Sequence, residues 1–228
     1  MNVDALLAAE LWQAIWLTCR LAFTTTVVLL IIGIPLAHWL STSRWRAAIL
    51  VEALVSMPIV LPPTVIGFYL LIILSPQHAL GKIWLDTFGY SLTFSFAGLV
   101  AGSVLYSLPF ATQPFQAAFK SVPLELLESA TALGANKWHL FWSIRLPVAS
   151  AGIMVGCMLS FAHTLGEFGV VLMLGGSIPG ETRVASIALF DKVQQLDYAA
   201  AHAYALVLLA IALVLLLGIG LLRKKLEK

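Results

Sequence analysis

The sequence predicts an all-α fold, a polytopic membrane protein whose helices are joined by one sizeable cytoplasmic loop. The first observation is composition: of the 228 residues, 61% are hydrophobic and 11% are charged, whereas soluble domains have about 45–50% apolar and about 25% charged residues. The second is the mean hydropathy of +0.97, which is too high for a soluble core covered by so few charges. Together these observations exclude a soluble enzyme, a disordered chain and a nucleic-acid-binding protein.

Five apolar stretches are long enough for a bilayer-crossing helix, which needs about 20 residues. They cover residues 17–39, 48–74, 92–112, 148–174 and 200–222. Positively charged loops stay in the cytoplasm, and with the carboxyl terminus inside, nine of the 13 Lys and Arg residues fall on the inner side. These nine are Arg44, Arg46, Lys120, Lys137, Arg145, Arg223, Lys224, Lys225 and Lys228. We therefore expect a multi-pass protein of the inner (plasma) membrane with its amino terminus outside.

Three prolines interrupt the second predicted span. Pro58, Pro62 and Pro63 each deprive the carbonyl four residues back of its hydrogen-bond partner, so the helix must break. In hydrocarbon, free carbonyls are tolerated where protein or a water-lined cavity satisfies them. Two interpretations stay open. The segment, together with the Thr64 hydroxyl, forms part of a transport path or gate, or it is a packing kink against a neighbouring helix.

The segment between the fourth and fifth predicted spans, residues 175–199, is unusually long. Its apolar stretch at 184–190 is too short to cross a bilayer, which favours an interfacial or re-entrant element on the outer side. Glu181 and Arg183 precede or border that stretch. Either these two residues contact an outer partner or close the outer mouth, or they are solvated loop charges.

The inner loop at residues 119–147 has the pattern of two short amphipathic helices. Pro123 suits the first helical position, and Gly134 is placed to end the first helix in a left-handed cap. Asn136 can cap the second helix, and Pro147 is expected to stop it. Apolar helix faces in such a loop favour contact with a cytoplasmic partner or with lipid.

This loop resembles the coupling loop of ABC importer permease subunits, whose signature is E-A-A, then G, then I-x-L-P. The matching residues are Glu128, Ser129, Ala130, Gly134, Ile144, Leu146 and Pro147. Ser129 stands where the family usually has alanine, and it keeps a small side chain. The resemblance implies that the loop inserts into a groove of an ATP-binding cassette subunit, which binds ATP and Mg²⁺, while this chain carries no cofactor. It also implies one permease domain over residues 1–228.

Further motifs narrow the resemblance to the molybdate and sulfate branch of the importers. They are Leu165-Gly166-Glu167-Phe168-Gly169, Ile178-Pro179-Gly180-Glu181-Thr182-Arg183, and Pro58-Ile59-Val60-Leu61-Pro62-Pro63 with Gly67, the last similar to the molybdate members. The chain departs from the pattern at His163, where the resemblance leads us to expect arginine. The resemblance implies import of molybdate and tungstate with two ATP-binding subunits and an oxyanion-binding protein. Because five helices can hardly enclose a gated path, we also expect two copies to pair around it.

Glu167 and His163 are ionisable groups inside the fourth predicted span, one helical turn apart on the same face. Ionisable groups at that depth indicate a functional site. A carboxylate repels a divalent oxyanion, so we expect Glu167 to pair with His163 or another donor, either at a gate or path wall or as a purely structural pair. The anion itself is expected to meet hydroxyls and free amides, with Thr64, Ser160 and Thr164 as candidates.

Sequence motifs for catalysis are missing from this chain. The sequence has no G-x-x-x-x-G-K-[ST] loop, no H-E-x-x-H helix and no G-x-S-x-G elbow. Cys19 and Cys157 lie far apart in apolar runs and predict neither a disulfide nor a metal site. We therefore expect a non-catalytic membrane subunit of an ATP-hydrolysing transporter.

Three alternatives stay open at the level of sequence. A sulfate or thiosulfate permease would carry an oxyanion of the same charge and shape. A membrane-embedded enzyme acting on lipid phosphates would need a cluster of arginine and histidine, but the five histidines are scattered along the predicted topology. A secondary transporter would have no use for the inner loop.

Overall fold

The computed structural model describes the backbone of residues 3–226 and the side chains of residues 8–221. All regular secondary structure in that part of the chain is helical, so the predicted all-α class is confirmed. The helices are α1 (Val3–Thr42), α2 (Arg46–Val60), α3 (Pro63–Leu74), α4 (Ala79–Phe88), α5 (Phe96–Lys120), α6 (Leu124–Ala132), α7 (Lys137–His139), α8 (Leu146–Leu165), α9 (Gly169–Gly175), α10 (Ala185–Gln194) and α11 (Tyr198–Leu226), with a π-helical segment at Leu140–Arg145. The basic side chains expected inside at the carboxyl terminus lie outside the described residues; they are Arg223, Lys224, Lys225 and Lys228.

In the part of the chain that the structure describes, three helical segments are long and apolar enough to cross a membrane: Ala8–Thr42, Lys137–Leu165 and Tyr198–Leu221. The bent pair α2 and α3 makes a fourth if it counts as one span. Helix α5, which contains the predicted third span, has 25 residues and is long enough to cross, but its serine, threonine and glutamine residues make it less apolar. The number of about five spans therefore stays a prediction.

The break in the second predicted span is confirmed. Helices α2 and α3 meet at an angle of 114°, and Leu61 and Pro62 between them have extended backbone. Pro63 then occupies the first position of α3, where a helix does not need the N–H that proline lacks. Pro62 and Pro63 thus mark the end of one helix and the start of the next, whereas Pro58 lies inside α2 and does not break it.

The predicted fourth span, residues 148–174, is not one helix, so that expectation is wrong. Helix α8 ends at Leu165 and α9 begins at Gly169. Between them the chain turns at Gly166, whose amide donates to the His163 carbonyl at 3.2 Å. Because the residues on both sides of this turn are apolar, length and hydropathy give no sign of the break.

Helices α1, α5 and α8 form the core of the chain. The fully buried Phe115 side chain of α5 belongs to one apolar cluster with Leu29 of α1 and Ile153 of α8. A Cβ atom on Gly156 would lie 2.6 Å from the Phe115 ring. Helix α8 therefore approaches α5 more closely than any larger residue at this position would allow.

The inner loop forms the first predicted helix as α6. Gly134 follows it with φ at +90°, and the Gly134 amide donates to the Thr131 carbonyl at 2.9 Å, which is the left-handed cap that the sequence predicts. The Asn136 side chain then accepts a hydrogen bond from the His139 amide at 2.8 Å. Both predicted caps are confirmed.

The second loop helix does not stop at Pro147, and that prediction is wrong. Residues Lys137–Leu165 form one continuous helix that passes through the π-helical segment. The Leu146 amide donates to the Phe141 carbonyl, five residues back, and this wider turn accommodates the proline ring that follows it. The end of the loop signature, from Ile144 to Pro147, and the start of the predicted fourth span therefore share one helix.

The apolar stretch at residues 184–190 becomes part of α10. This helix is packed against α1, because the buried Ala185 amide donates to the Thr18 hydroxyl at 2.8 Å. Helix α4, by contrast, was not anticipated by the sequence analysis. Its Gly81 lies against the carbonyl groups of Leu74 and Ser75, where a side chain would clash.

Candidate functional site

Two helix breaks meet in space. The proline break is residues 61–62 between α2 and α3, and the glycine break is residues 166–168 between α8 and α9. A Cβ atom on Gly169, at the start of α9, would lie 3.0 Å from the Pro63 Cβ and 3.3 Å from the Thr64 amide nitrogen. A Cβ on Gly67 of α3 would likewise lie 2.8 Å from the Met173 Cβ of α9. The proline break and the glycine break therefore pack against each other with no room for further side chains.

Glu167 lies within the glycine break and is enclosed. It is 4% exposed, and neither carboxyl oxygen has a hydrogen-bond partner among the side chains that the structure describes. The Ser103 hydroxyl of α5 neighbours the carboxyl group without reaching hydrogen-bonding geometry. The backbone of Glu167 is fixed instead, since the Ser186 hydroxyl donates to its carbonyl at 2.6 Å.

The expected pair of Glu167 with His163 does not form in this structure, because α8 ends between the two residues. The His163 Nδ1 atom lies 2.9 Å from the Ser107 hydroxyl of α5. The imidazole ring stacks on Phe110, with ring centroids 3.8 Å apart, and it contacts Tyr106 at 4.9 Å between centroids. His163 is thus a partly exposed group that α5 holds in place.

The three hydroxyl candidates for an anion path have different positions. Ser160 and Thr164 are buried, and they donate to the Gly156 and Ser160 carbonyls at 2.8 and 2.9 Å. Their protons are therefore used within α8. Thr64 is exposed at the start of α3, and so is Pro62 beside it, which leaves Thr64 as the accessible hydroxyl of the three.

The loop signature presents an exposed surface. Glu128 and Ser129 are exposed and Ala130 is partly exposed on α6. Large apolar side chains surround them with high exposed fractions: Leu124 66%, Leu133 89%, Trp138 72% and Trp142 50%. Of the remaining signature residues, Ile144 and Leu146 are partly exposed and Pro147 is exposed. Apolar patches of this kind mark sites of contact with another macromolecule or a membrane.

The loop before α10 is held by a polar network. The Arg183 Nε donates to the Ser177 hydroxyl at 2.9 Å and lies 3.6 Å from an Asp191 carboxylate oxygen. The buried Thr182 hydroxyl donates to the Gly175 carbonyl at 2.6 Å. Arg183 is therefore an anchored residue that also borders a cavity of about 290 Å³, whereas Glu181 is exposed.

Two serines of α5 also belong to the site and were not predicted from the sequence. Ser103 and Ser107 are fully buried and face Glu167 and His163 respectively. Their spacing of four residues on one face of an apolar helix is the signal that could have identified them. As for metal ligands, the described residues contain no group of three or more His, Cys, Asp or Glu side chains arranged to hold an ion.

Comparison with known proteins identifies the family. The family described as "Binding-protein-dependent transport system inner membrane component" matches residues 12–228. The chain belongs to this family. It is 47% identical over 189 residues to the molybdenum transport system permease protein ModB of Azotobacter vinelandii, an alignment that covers 83% of this chain and 84% of that protein. The resemblance carried by the loop and break motifs is thereby confirmed.

The chain is also similar to a sulfate permease and to a solved transporter structure. The chain is 33% identical over 184 residues to the sulfate transport system permease protein CysT of Escherichia coli K12, covering 81% of this chain and 66% of that protein. A chain from a bacterial ABC transporter involved in the import of the acidic polysaccharide alginate has the same fold, with a TM-score of 0.77 at 21% identity over 100% of this chain and 85% of that chain. The protein is thus a multi-pass inner-membrane transport component.

Proposed function

We propose that this chain is the non-catalytic permease subunit of an ABC importer for molybdate, and that tungstate uses the same path. The observation that carries the proposal is the 47% identity to a molybdenum permease over 83% of the chain. A sulfate or thiosulfate permease is the second candidate, supported by the 33% identity to a sulfate permease. Both substrates are tetrahedral divalent anions, so one permease architecture suits either.

The proposed path runs where the proline break and the glycine break meet. Exposure of Val60, Pro62 and Thr64 around the extended backbone of the break supports this location, because irregular backbone at membrane depth needs protein or a water-lined cavity beside it and not lipid. A second copy related by a two-fold axis would cover this break and enclose the path. The buried Glu167 then acts from behind the wall, by shaping the break, and does not coordinate the anion.

The proposed contact with an ATP-binding subunit is made by α6 and the start of the next helix. Its support is the exposed signature Glu128 and Ser129 together with the apolar side chains of Leu133 and Trp138. Gly134 fixes the angle between the two loop helices through its left-handed backbone. A groove on the partner would bury the apolar residues and pair with the carboxylate.

Two such partner subunits would bind ATP and Mg²⁺ and supply the driving force. Their closure around nucleotide would push the loop helices as rigid bodies. The continuous helix Lys137–Leu165 has 29 residues and is about 43 Å long. It can therefore carry the movement from the loop to the break at Gly166, which lies beside the proposed path.

An oxyanion-binding protein is the proposed partner on the opposite side of the membrane. Exposed Glu181 and the anchored Arg183 would meet it there. This arrangement requires the amino terminus outside and the carboxyl terminus in the cytoplasm, in agreement with the Lys and Arg distribution over the sequence.

Uptake competition tests the substrate. The assembled importer is reconstituted in liposomes, and ATP-dependent uptake of labelled molybdate is measured with unlabelled molybdate, tungstate or sulfate as competitor. We expect tungstate to compete far more strongly than sulfate. Stronger competition by sulfate would assign the second candidate, and the absence of ATP-dependent uptake of labelled molybdate and labelled sulfate alike would refute an oxyanion importer.

Cross-linking tests the coupling contact. Ser129→Cys and Glu181→Cys are compared in a background where Cys19 and Cys157 are replaced by alanine. Both target positions are exposed, but only Ser129 lies on the proposed cytoplasmic surface. We expect Ser129→Cys to capture the ATP-binding subunit and Glu181→Cys to leave it free. The reverse pattern would place the loop on the wrong side of the membrane.

A further inference from the structure

The hydrogen bonds around His163 determine which of its ring nitrogens carries a proton. Three short contacts form a chain: Thr164 Oγ1 to the Ser160 carbonyl at 2.9 Å, Ser107 Oγ to Thr164 Oγ1 at 3.0 Å, and Ser107 Oγ to His163 Nδ1 at 2.9 Å. Each contact needs one proton, and a carbonyl has none to give. The two hydroxyls supply two protons, so the third must sit on the imidazole.

The proton count fixes the donor and the acceptor in each of the three hydrogen bonds. Thr164 donates to the Ser160 carbonyl, Ser107 donates to Thr164, and His163 Nδ1–H donates to Ser107. If the proton were on Nε2 instead, one of the three contacts would have no proton. Two lone pairs would then face each other there, which costs free energy. Neutral His163 therefore has its proton on Nδ1 and a bare lone pair on Nε2.

The Nε2 atom points away from this chain of hydrogen bonds. It has no hydrogen-bond partner among residues 8–221, and it is not among their enclosed unpartnered atoms, while the residue as a whole is partly exposed. His163 stands in the last turn of α8, immediately before the break that contacts Thr64. A lone pair at this place repels an anion, whereas an N–H on the same atom would attract it.

The surroundings of the ring suit a positive charge that appears only transiently. The Phe110 ring lies parallel to the imidazole, with 22° between the planes, and the face of an aromatic ring attracts a cation. The titratable groups around it are the Tyr106 phenol on α5 and, beyond the end of α8, the Glu167 carboxyl. In the described part of the chain, no Lys, Arg, Asp or Glu side chain forms an ion pair or hydrogen bond with the His163 ring.

We propose that His163 is a proton-dependent contact for the transported oxyanion: with Nε2 bare it repels the anion, and with Nε2 protonated it donates a charge-assisted hydrogen bond to it. The inference rests on the proposed oxyanion path. Ser107 is the positioning residue, because its hydroxyl holds the Nδ1 proton and so ensures that Nε2 gains a proton only by the ring becoming charged. Binding of the anion and protonation of His163 then favour each other.

Nitrogen NMR tests the tautomer without any transport measurement. The full chain, labelled with ¹⁵N-histidine, is placed in lipid nanodiscs, and the His163 signals are identified by their loss in His163→Asn. At a pH where the ring is neutral, we expect a protonated Nδ1 and a bare Nε2. In Ser107→Ala the Nε2–H form should gain population. A wild-type ring with its proton on Nε2 would overturn the inference.

Transport at two pH values tests the anion contact. Labelled molybdate uptake at sub-saturating concentration, normalised to the ATP hydrolysis rate, should fall roughly tenfold or more from about pH 5 to about pH 8 in the wild-type importer, because the charged ring is lost as the pH rises. His163→Arg, whose charge is permanent, should keep its uptake at both pH values. His202→Arg, a change at an exposed histidine of α11, should follow the wild-type profile.

The outcomes separate this inference from the proposed function. If the wild-type importer moves neither molybdate nor sulfate, the proposed function fails, and the NMR result still decides the tautomer. If it moves the oxyanion and His163→Arg retains the wild-type pH profile, the contact at His163 is refuted while the importer assignment stands. Ser107→Ala gives a further check, since a neutral Nε2–H donor should raise uptake at the higher pH above the wild-type value.

Discussion

Replacement of Gly134 by valine tests whether the loop acts as a mechanical coupling element. Gly134 has φ at +90°, and within the described part of the chain no heavy atom lies within 4 Å of the place its Cβ would occupy. The substitution therefore causes no clash, and its effect comes from backbone strain alone. A β-branched residue in this region is strained by about 1–3 kcal/mol, which favours other turn conformations by roughly 5- to 150-fold.

We expect Gly134→Val to change the angle between α6 and the following helix. ATP-driven uptake by the reconstituted importer should then fall at least tenfold, while the subunit still inserts into the membrane. Gly134→Asn should retain most of the uptake, because asparagine tolerates left-handed backbone better than other residues. Uptake and membrane content are measured for all variants in parallel.

Gly89→Val is the matched control for this experiment. Gly89 follows α4 with φ at +78°, and again no described heavy atom lies within 4 Å of its added Cβ. The strain is therefore the same in kind and size, but it falls outside the inner loop. Normal uptake by Gly134→Val would refute the coupling argument. An equal loss in Gly89→Val would show that strain alone, anywhere in the chain, impairs the protein.

Two further predictions concern the glycine break. Glu167→Gln should change the basal ATP hydrolysis rate of the assembled importer more than its molybdate affinity, because Glu167 is enclosed and not at the path surface; a loss of affinity alone would indicate direct contact with the anion. Gly169→Ala should push the two breaks apart, because its Cβ would press on Pro63 and on the Thr64 backbone. We expect the free energy of unfolding, measured by thermal unfolding, to fall by about 1–3 kcal/mol, and uptake to be reduced. Gly166→Ala is the control, since its Cβ would meet only the His163 carbonyl oxygen at 3.8 Å, and equal losses in both variants would argue against the packing explanation.

Features that depend on local chemistry could be predicted from the sequence. The turn at Gly134 and the cap at Asn136 follow from residue types that satisfy free backbone groups at helix ends. The break before Pro63 follows from the missing N–H of proline. Each of these needs only a few neighbouring residues, so a single sequence contains the whole argument.

Features that depend on distant contacts, or on a local exception to a sequence rule, could not be predicted. Pro147 normally predicts a helix end, but the π-helical turn before it keeps the helix continuous. The end of α8 at Leu165 depends on how α9 packs against α3, which the apolar composition of both sides conceals. His163 was matched to Glu167 by helical spacing, and its actual partner Ser107 is 56 residues away in sequence.

The enclosed polar atoms around Glu167 predict that the glycine break changes conformation during transport. Among the side chains of residues 8–221, both carboxyl oxygens of Glu167 and the Ser103 hydroxyl are enclosed without a hydrogen-bond partner in this conformation, and each such group costs roughly 1–3 kcal/mol. A second conformation that gives Glu167 a donor would recover part of that free energy, so the break favours leaving the present arrangement. Glutamine has the same shape but no charge, so its burial costs less free energy than that of a carboxylate. It should therefore stabilise the present conformation and slow basal ATP hydrolysis, and faster hydrolysis in Glu167→Gln would contradict this reasoning.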